Sequence, residues 1–157
     1  MFPFPVESLP LLWDWLQEYP DANFDDYSPK TLKDFILVMQ ERFANGEVVW
    51  GIRYNGDLVG AVGIAPLNPG CAMFHGICFS KIVHGTGVPF AGVSKVLDTM
   101  FSLGVEKVAA SYFADNTVIH KFFKKLGAIT EGYLAQQTIR GGKPCDMRLV
   151  AVFKGKL

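Results

Sequence analysis

The chain has 157 residues, half of them hydrophobic, and its 15 acidic side chains balance its 15 basic ones. This length is typical of one domain, so we expect residues 1–157 to form a single unit with a substantial core. The lack of a basic excess argues against nucleic-acid binding. Three cysteines without CxxC spacing favour neither a metal cluster nor a disulfide framework, and they indicate a reducing, cytoplasmic location.

The first part of the chain predicts helices. The opening "MFPFPVESLPLLWDWL" lacks the features of a signal peptide, and no stretch of the sequence has the apolar length of a membrane span. Ser8 is expected to cap a first helix. Residues 19–29 then read as a loop, and Ser28–Pro29 is expected to open a second helix that stops at Asn45–Gly46. No strand is predicted before this point.

The middle of the chain predicts strands and one helix. Asn55–Gly56 is a strong hairpin signal, because both positions of the turn need positive φ and strand-forming residues flank them. Residues 71–79 form a third strand, and a glycine-bearing loop leads to a helix that begins at Pro89 and ends at Gly104. Residues 105–113 form a fourth strand, which completes a parallel strand–helix–strand unit.

The last part predicts a helix and two strands. The helix lies within "DNTVIHKFFKKLGA", residues 115–128, and has one apolar and one cationic face. Asn116 or Asp115 is expected to cap this helix, and Gly127 to end it. Two long strands then join around Gly141–Gly142. The order of elements predicts a mixed α+β fold.

The loop "HGTGVP", residues 84–89, lies between a strand and a helix. Glycines let a ligand approach the backbone, and the first amides of a helix have no partners within it, so such a turn is suited to phosphate. The loop is neither a GxGxxG fingerprint nor a Walker loop. Taken alone, it leaves both a phosphate site and an ordinary turn open.

This loop resembles the acyl-CoA pyrophosphate loop of the GNAT superfamily of N-acetyltransferases. The family pattern is Arg or Gln, two residues, Gly, one residue, then Gly or Ala. Gly87 takes the place of the central Gly, whereas His84 stands where Arg or Gln is usual and Pro89 where Gly or Ala is usual. The resemblance implies that the cofactor is bound by His84, Gly85, Thr86, Gly87 and Val88.

The helix of residues 115–128 resembles the second GNAT signature, which is Asn, an aromatic pair, then Lys-x-Gly. Asn116, Phe122, Phe123, Lys125 and Gly127 match it in register. In the family the Asn faces the pantetheine arm, and the second aromatic is very often a Tyr that protonates the leaving thiolate. Asn116 and Phe123 are therefore implied to contact the cofactor, although Phe123 has no proton to give.

The resemblance covers about residues 45–153 and implies a GNAT-like fold. That fold has a mixed central sheet, two N-terminal helices, a β-hairpin, a parallel β-α-β unit with splayed strands, a C-terminal helix and two antiparallel strands. The cofactor arm is implied to enter the gap between strands 71–79 and 105–113. By analogy, the backbones of Ile77 and Phe79 pair with it, and an amide near Ile77 polarises the thioester.

The candidate catalytic residues are one histidine and two tyrosines. His75 is expected on the same side of its strand as Ile77 and Phe79, because side chains alternate with a period of two. It is a candidate general base, and the alternative is a strand histidine satisfied by hydrogen bonds. Tyr112 and Tyr133 are candidate general acids, with water as the other source of the proton.

Other polar groups are expected to be solvated. Asp21, Asp25 and Asp26 have the charge to attract a cationic amine, but an acidic loop in water is the simpler interpretation. His120 is expected on the solvated face of its helix.

The function implied is transfer of an acetyl group from acetyl-CoA directly to a primary amine of an unidentified small molecule or protein. No metal, nucleic acid or membrane is expected to take part, and a homodimer is allowed. The alternative is a GNAT-like domain that has lost catalysis and acts as a binding or structural subunit, which His84, Pro89 and Phe123 favour. A third interpretation keeps the fold with a different acyl donor.

Overall fold

The computed structural model describes residues 1–155, which build one seven-stranded sheet in the order β1-β2-β3-β4-β5-β7-β6. All neighbouring strands are antiparallel except β4 and β5, which are parallel. The strands are β1 (Phe2–Pro3), β2 (Val48–Tyr54), β3 (Asp57–Asn68), β4 (Cys71–Phe79), β5 (Lys107–Phe113), β6 (Ile129–Arg140) and β7 (Lys143–Phe153). The helices are α1 (Leu9–Gln17), α2 (Pro20–Asn23), α3 (Leu32–Ala44), α4 (Val88–Ser102) and α5 (Thr117–Lys125).

Helices cover both faces of the sheet and create two cores. The larger core joins α4 and α5 to the sheet and includes Val62, Phe74, Leu97, Val108 and Phe123. The smaller core joins α1 and α3 to the other face and includes Leu12, Trp15, Phe35, Met39 and Ala61. The mixed α+β fold predicted from the sequence is therefore confirmed, and the sheet separates an α4/α5 face from an α1/α3 face.

The first strand was missed by the sequence interpretation. Phe2 pairs with Gly51 and Pro3 with Trp50, so β1 extends the sheet beyond β2. Gly51 is required by this contact, since a Cβ there would lie 2.8 Å from the Phe2 ring. A strand of two residues beside proline shows no alternation of polar and apolar residues, and the pattern that identifies strands is absent.

The start of the second long helix was also predicted wrongly. Ser28 does not cap it, because its hydroxyl donates to the Asp25 carboxylate at 2.8 Å and stays in the preceding loop. Thr31 is the N-cap of α3, and its hydroxyl oxygen accepts the backbone N–H of Asp34 at 3.2 Å. The predicted loop of residues 19–29 contains the short helix α2. Ser8 precedes α1 without a capping hydrogen bond from its side chain.

The later elements follow the prediction closely. Asn55 and Gly56 form the β2–β3 turn with φ of 53° and 93°. Asn116 caps α5 by accepting the backbone N–H of Ile119 at 3.1 Å. Gly104 and Gly127 follow α4 and α5 with φ of 96° and 75°. No helix within residues 1–155 combines the length and the apolar character needed to cross a bilayer.

Candidate active site

The parallel strands β4 and β5 pair at one end and separate at the other. Their register runs from Cys71 opposite Lys107 to Phe74 opposite Ala110, and it stops there. Both strands continue past this point, since β4 still pairs with β3 as far as Phe79 and β5 pairs with β7 as far as Phe113. The splayed pair implied by the resemblance is thus present, and backbone groups that face the gap have no strand to bind.

A β-bulge at His75 lies where the two strands part. Gly63 of β3 pairs with Gly76 and Ile64 pairs with Phe74, so His75 is the extra residue. A bulge of this kind redirects the side chains that follow it. His75 therefore does not share a side with Ile77, which packs against the α4/α5 core. The expectation of a shared side was wrong because the bulge breaks the period of two.

The bulge directs His75 toward a buried carboxylate on the α1/α3 face. Nδ1 of His75 lies 2.7 Å from Oε2 of Glu47, whose side chain is only 4% exposed. Gly63 leaves the space for this carboxylate, because a Cβ there would lie 2.6 Å from Glu47 Oε1. Since a carboxylate oxygen only accepts, Nδ1 donates and the neutral imidazole presents a lone pair at Nε2. The sequence interpretation missed Glu47, which lies 28 residues before its partner.

A cavity of about 360 Å³ contains this pair and extends into the gap between the strands. Its floor is made by β4 and β5, its α1/α3 side is mostly apolar, and α5 closes it from the other side. Its walls include Phe24, Phe35, Met39, Arg42, Glu47, His75, Ile77, Tyr112, Asn116 and Phe123. The structure thus brings together five of the residues predicted for the site: His75, Ile77, Tyr112, Asn116 and Phe123.

Backbone groups of Ile77 and Phe79 face the gap. Ser80 N–H donates to Val59 O at 2.8 Å, and bonded and non-bonded positions alternate along an antiparallel pair. The backbone N–H and C=O of Cys78 therefore point toward β3, while those of Ile77 and Phe79 point toward the gap between β4 and β5. This orientation suits the pairing with a cofactor arm that the resemblance implies, and that role stays a prediction.

The loop before α4 keeps only part of its predicted amide cradle. Thr86 N–H donates to Val83 O at 3.2 Å, and Val88 N–H donates to the Thr86 hydroxyl at 3.2 Å. Within residues 1–155, the N–H groups of Gly85 and Gly87 have no protein acceptor. Gly85 has φ of 76°. Two free amides before a fifteen-residue helix fit a phosphate, with fewer donors than the sequence suggests.

His84 contacts the end of β4 and the end of α1. Its Nε2 lies 3.0 Å from the Phe79 carbonyl oxygen, and its ring stacks on Tyr19 with centroids 5.5 Å apart. The imidazole thus binds one of the carbonyls that face the gap. Contact of His84 with a cofactor phosphate stays a prediction.

The two predicted tyrosines lie in different surroundings. Tyr112 is buried and stacks on Phe123, and its hydroxyl lies 3.0 Å from Nδ1 of His120. Tyr133 is 60% exposed on β6, and its ring lies against the Arg148 guanidinium. His120 is therefore bonded rather than simply solvated, contrary to expectation. Of the two tyrosines, Tyr112 borders the cavity.

The acidic loop is tied to the β6–β7 hairpin. The Asp25 carboxylate accepts the hydroxyls of Ser28 and Thr138. Burial raises the pKa of Asp25, but these hydrogen bonds outweigh burial and hold the pKa below its usual value. Asp26 accepts the N–H groups of Gly141 and Gly142, each at 2.8 Å. Both aspartates are structural partners of the hairpin, so the expectation of a simply solvated loop was wrong for the half-buried Asp25, whereas Asp26 is hydrogen-bonded and still exposed.

Cys78 also lines the cavity. Burial, with a smaller effect from the charge of Glu18, raises the pKa of its thiol to about 12. A thiol with this pKa is protonated near neutral pH and is a poor nucleophile. No group of three or more His, Cys, Asp and Glu residues in the part of the chain that the structure describes could hold a metal ion.

Comparisons with known proteins agree with this geometry. The sequence model of the acetyltransferase (GNAT) family matches residues 9–128. No curated protein matches the sequence.

Solved structures of acetyltransferases share the fold. Spermidine N-acetyltransferase from Vibrio cholerae, in complex with CoA and spermine, is 16% identical with a TM-score of 0.82, over 98% of this chain and 94% of that one. Ribosomal-protein-alanine N-acetyltransferase from Brucella melitensis is 15% identical with a TM-score of 0.78, over 96% of this chain and 97% of that one. An N-acetyltransferase from Staphylococcus aureus Mu50 is 15% identical with a TM-score of 0.78, over 96% of this chain and 95% of that one. With a family match over well more than half of its length, the chain belongs to the GNAT family of acetyltransferases.

Proposed function

We propose that this protein transfers the acetyl group of acetyl-CoA directly to a primary amine, with His75 as general base. One observation carries the proposal: the pair formed by His75 and the buried Glu47 carboxylate opens onto the same cavity as the gap between β4 and β5. The gap supplies unpaired backbone for a donor, and the pair supplies a base beside it. An acceptor that enters from the α1/α3 side would meet both.

The residues of the gap fit the donor. Its pantetheine arm would pair with the outward backbone groups of Ile77 and Phe79, next to the Asn116 side chain. Its pyrophosphate would be held by the free N–H groups of Gly85 and Gly87 at the start of α4. When bound, acetyl-CoA supplies an acetyl group activated as a thioester.

In this proposal His75 removes a proton from the acceptor. An ammonium cannot attack a carbonyl until it loses a proton, and the lone pair at Nε2 of His75 can take it directly or through water. Glu47 orients the ring through Nδ1 and stabilises the imidazolium that forms, as the carboxylate does in a Ser-His-Asp triad. The Glu47 side chain is only 4% exposed, so water screens its carboxylate little, although the His75 side chain is 38% exposed.

The transfer forms one carbon–nitrogen bond and breaks one carbon–sulfur bond. The ammonium first gives a proton to His75, which returns it to solvent, and the neutral amine then attacks the acetyl carbonyl carbon. As the bond between that carbon and sulfur breaks, the nitrogen loses its second proton to His75 or to water. The departing sulfur takes a proton from water, or from Tyr112, which regains one from solvent. An N–H of the β4 backbone near Ile77 stabilises the charge on the carbonyl oxygen.

Direct transfer is favoured over an acetylated enzyme. Cys78 is the cysteine that borders the cavity, and a pKa of about 12 keeps its thiol neutral. An enzyme that acetylates itself first needs a reactive nucleophile at the donor. The amine is therefore the nucleophile in this proposal.

The acceptor is an amine that reaches an apolar cavity beside a carboxylate. Relatives in fold include enzymes named for spermidine and for the alanine of a ribosomal protein, so both small polyamines and peptide amines belong in the assay. The second candidate function, a binding subunit without catalysis, is favoured by Phe123 and by the reduced amide cradle of the loop.

Two measurements test the proposal. Calorimetric titration with desulfo-CoA should show saturable binding, and acetyl-CoA with a panel of primary amines should release free CoA. His75→Ala should bind desulfo-CoA as the native protein does and lose about 100-fold in kcat. Binding without release of CoA for any amine supports the binding subunit instead. Full turnover by His75→Ala removes the base assignment.

A further inference from the structure

A second cavity of about 240 Å³ lies behind α5, between that helix and strands β6 and β7. Its walls are Phe123, Ala128 and Val150 on the apolar side, and His120, Lys124, Thr130 and Arg148 on the polar side. The proposed reaction uses none of these four polar side chains in a chemical step. Phe123 is the wall that this cavity shares with the larger one.

The polar side of this cavity holds hydrogen-bond donors and positive charge. Arg148 and Lys124 are cations that only donate, and the Thr130 hydroxyl donates readily. No carboxylate lines the cavity, and among residues 1–155 none forms an ion pair with Arg148 or Lys124. The Nε–H of Arg148 is buried without an acceptor. Burying such a group without a partner is costly.

The surroundings of Arg148 do not neutralise its charge. Its Nη1 lies 3.2 Å from Nδ1 and 3.1 Å from Nε2 of His120, and its guanidinium lies 4.8 Å from the centre of the Tyr133 ring. Burial and the charges of Arg148 and Lys124 lower the pKa of His120, which disfavours a third positive charge at this place. Tyr112, whose hydroxyl bonds to His120, keeps its proton because burial raises its pKa.

We infer that this cavity is a binding site for a small oxyanion, such as phosphate, sulfate or a carboxylate. An oxyanion would accept from Arg148, Lys124 and the Thr130 hydroxyl at once, and charge-assisted bonds to guanidinium and ammonium are the strong ones. The cavity holds several times the ~30 Å³ that one water occupies in the liquid, so an ion of this size enters with part of its hydration. The site is separate from the loop before α4 and does not rest on the proposed function.

The three histidines of the chain make the test specific, because each one reports a different place. His75 lies in the larger cavity, His84 at the loop before α4, and His120 in the second cavity, behind α5. Inorganic phosphate is titrated at constant ionic strength and pH while the ring proton resonances are followed by NMR. Resonances are assigned with single His→Gln variants. Phosphate at the cavity should shift His120 along a saturable curve.

Two lysines of α5 provide a matched pair of variants. Lys124 lines the cavity, while Lys121 lies on the same helix outside it. Lys124→Met should weaken the phosphate response of His120 about tenfold, the loss of one charge-assisted bond, and Lys121→Met should leave it unchanged. Arg148→Gln should abolish the phosphate response of His120. If Arg148→Gln fails to fold, the comparison of Lys124→Met with Lys121→Met still tests the inference.

Three results would overturn the inference. The first is a shift of His84 without His120, which means that phosphate binds only at the loop before α4. The second is an equal loss of the His120 response in the two lysine variants, which means a general charge effect. The third is a response to chloride as large as that to phosphate at the same ionic strength. Repeating the titration with sulfate and with acetate defines which oxyanions the site accepts.

Discussion

Tyr112 and Phe123 stack in parallel with their rings offset, the centroids 5.5 Å apart and the planes only 4° from parallel. Phe123 occupies the place where the resembled family usually carries a Tyr, and Tyr112 lies directly against it. Burial raises the pKa of Tyr112, and this outweighs the opposite effect of the Arg148 charge. The phenol therefore keeps a proton to donate at neutral pH, and it borders the cavity in which the sulfur would lie.

The first prediction concerns this phenol. Tyr112→Phe preserves the stacked ring and removes the hydroxyl, so kcat should fall about tenfold or more at unchanged affinity for desulfo-CoA. Adding Phe123→Tyr to this variant should recover part of the loss, whereas adding Phe122→Tyr should not. Unchanged kcat in Tyr112→Phe would assign the proton to water. Melting temperatures of the variants separate loss of activity from loss of fold.

The second prediction concerns Glu47 as a positioning residue. Glu47→Gln keeps the shape of the side chain but removes the charge that stabilises a protonated His75, so kcat should fall about 10- to 100-fold with little change in KM. Glu47→Asp keeps the charge and should retain more activity than Glu47→Gln. Equal kcat values for native protein and Glu47→Gln would reduce Glu47 to a structural role.

The third prediction uses the space that Gly63 leaves. A Cβ at this position would lie 2.6 Å from Glu47 Oε1, the mobile end of a side chain. Gly63→Ala should therefore fold, displace the carboxylate and lower kcat in the same way as Glu47→Gln. Combining the two substitutions should cost little more than either one, since both act on one contact. Strictly multiplicative losses would show that Gly63 acts elsewhere.

The fourth prediction concerns Cys78. Because the pKa of its thiol is about 12, the thiolate fraction at pH 8 is very small. Iodoacetamide should modify Cys78 in the folded protein far more slowly than in the urea-unfolded protein, as followed by peptide mass spectrometry. Cys78→Ser should keep most of its transferase activity. Loss of activity together with a trapped acetyl-cysteine would establish transfer through the enzyme.

The fifth prediction concerns the tie between the acidic loop and the hairpin. Hydrogen bonds hold the pKa of Asp25 below its ordinary value near 3.8. The stabilisation is therefore present above that value and is lost as pH falls through the lower, folded-state pKa. Asp25→Asn should lower stability by about 1 kcal/mol near neutral pH, or about 2–4 °C in melting temperature. The difference in stability between Asp25→Asn and the native protein should become smaller below about pH 4. A difference that does not change with pH would exclude the carboxylate charge as its cause.

Much of the fold could be predicted because its signals are local. Asn55–Gly56 needs positive φ at both positions, and the structure has it. Asn116 caps α5 through its own side chain, which depends only on residues three positions apart. The predicted start of α3 was wrong by three residues because Ser28 and Thr31 are both good caps, and only the contact of Ser28 with Asp25 decides between them.

The candidate site was predictable in part. The cavity contains five of the residues named from the sequence, because strand ends and a helix start converge there by topology. Glu47 carries no signal of its own, since a glutamate after a glycine turn usually lies in water. The side of the sheet on which His75 lies could not be predicted either. A bulge is defined by how a strand pairs with its neighbour, and the residues of a single strand do not show it.

What the sequence by itself determined is most of the elements, their order and the family, since turns, caps and alternating apolar residues act over a few neighbouring positions; β1 and α2 were found only in the structure. Only the tertiary structure decided which groups meet: it bends β4 at His75, buries Glu47 beside it, and gathers Arg148, His120 and Lys124 behind α5. The physical reason is that hydrogen bonds and charges act through space, between residues far apart in the chain.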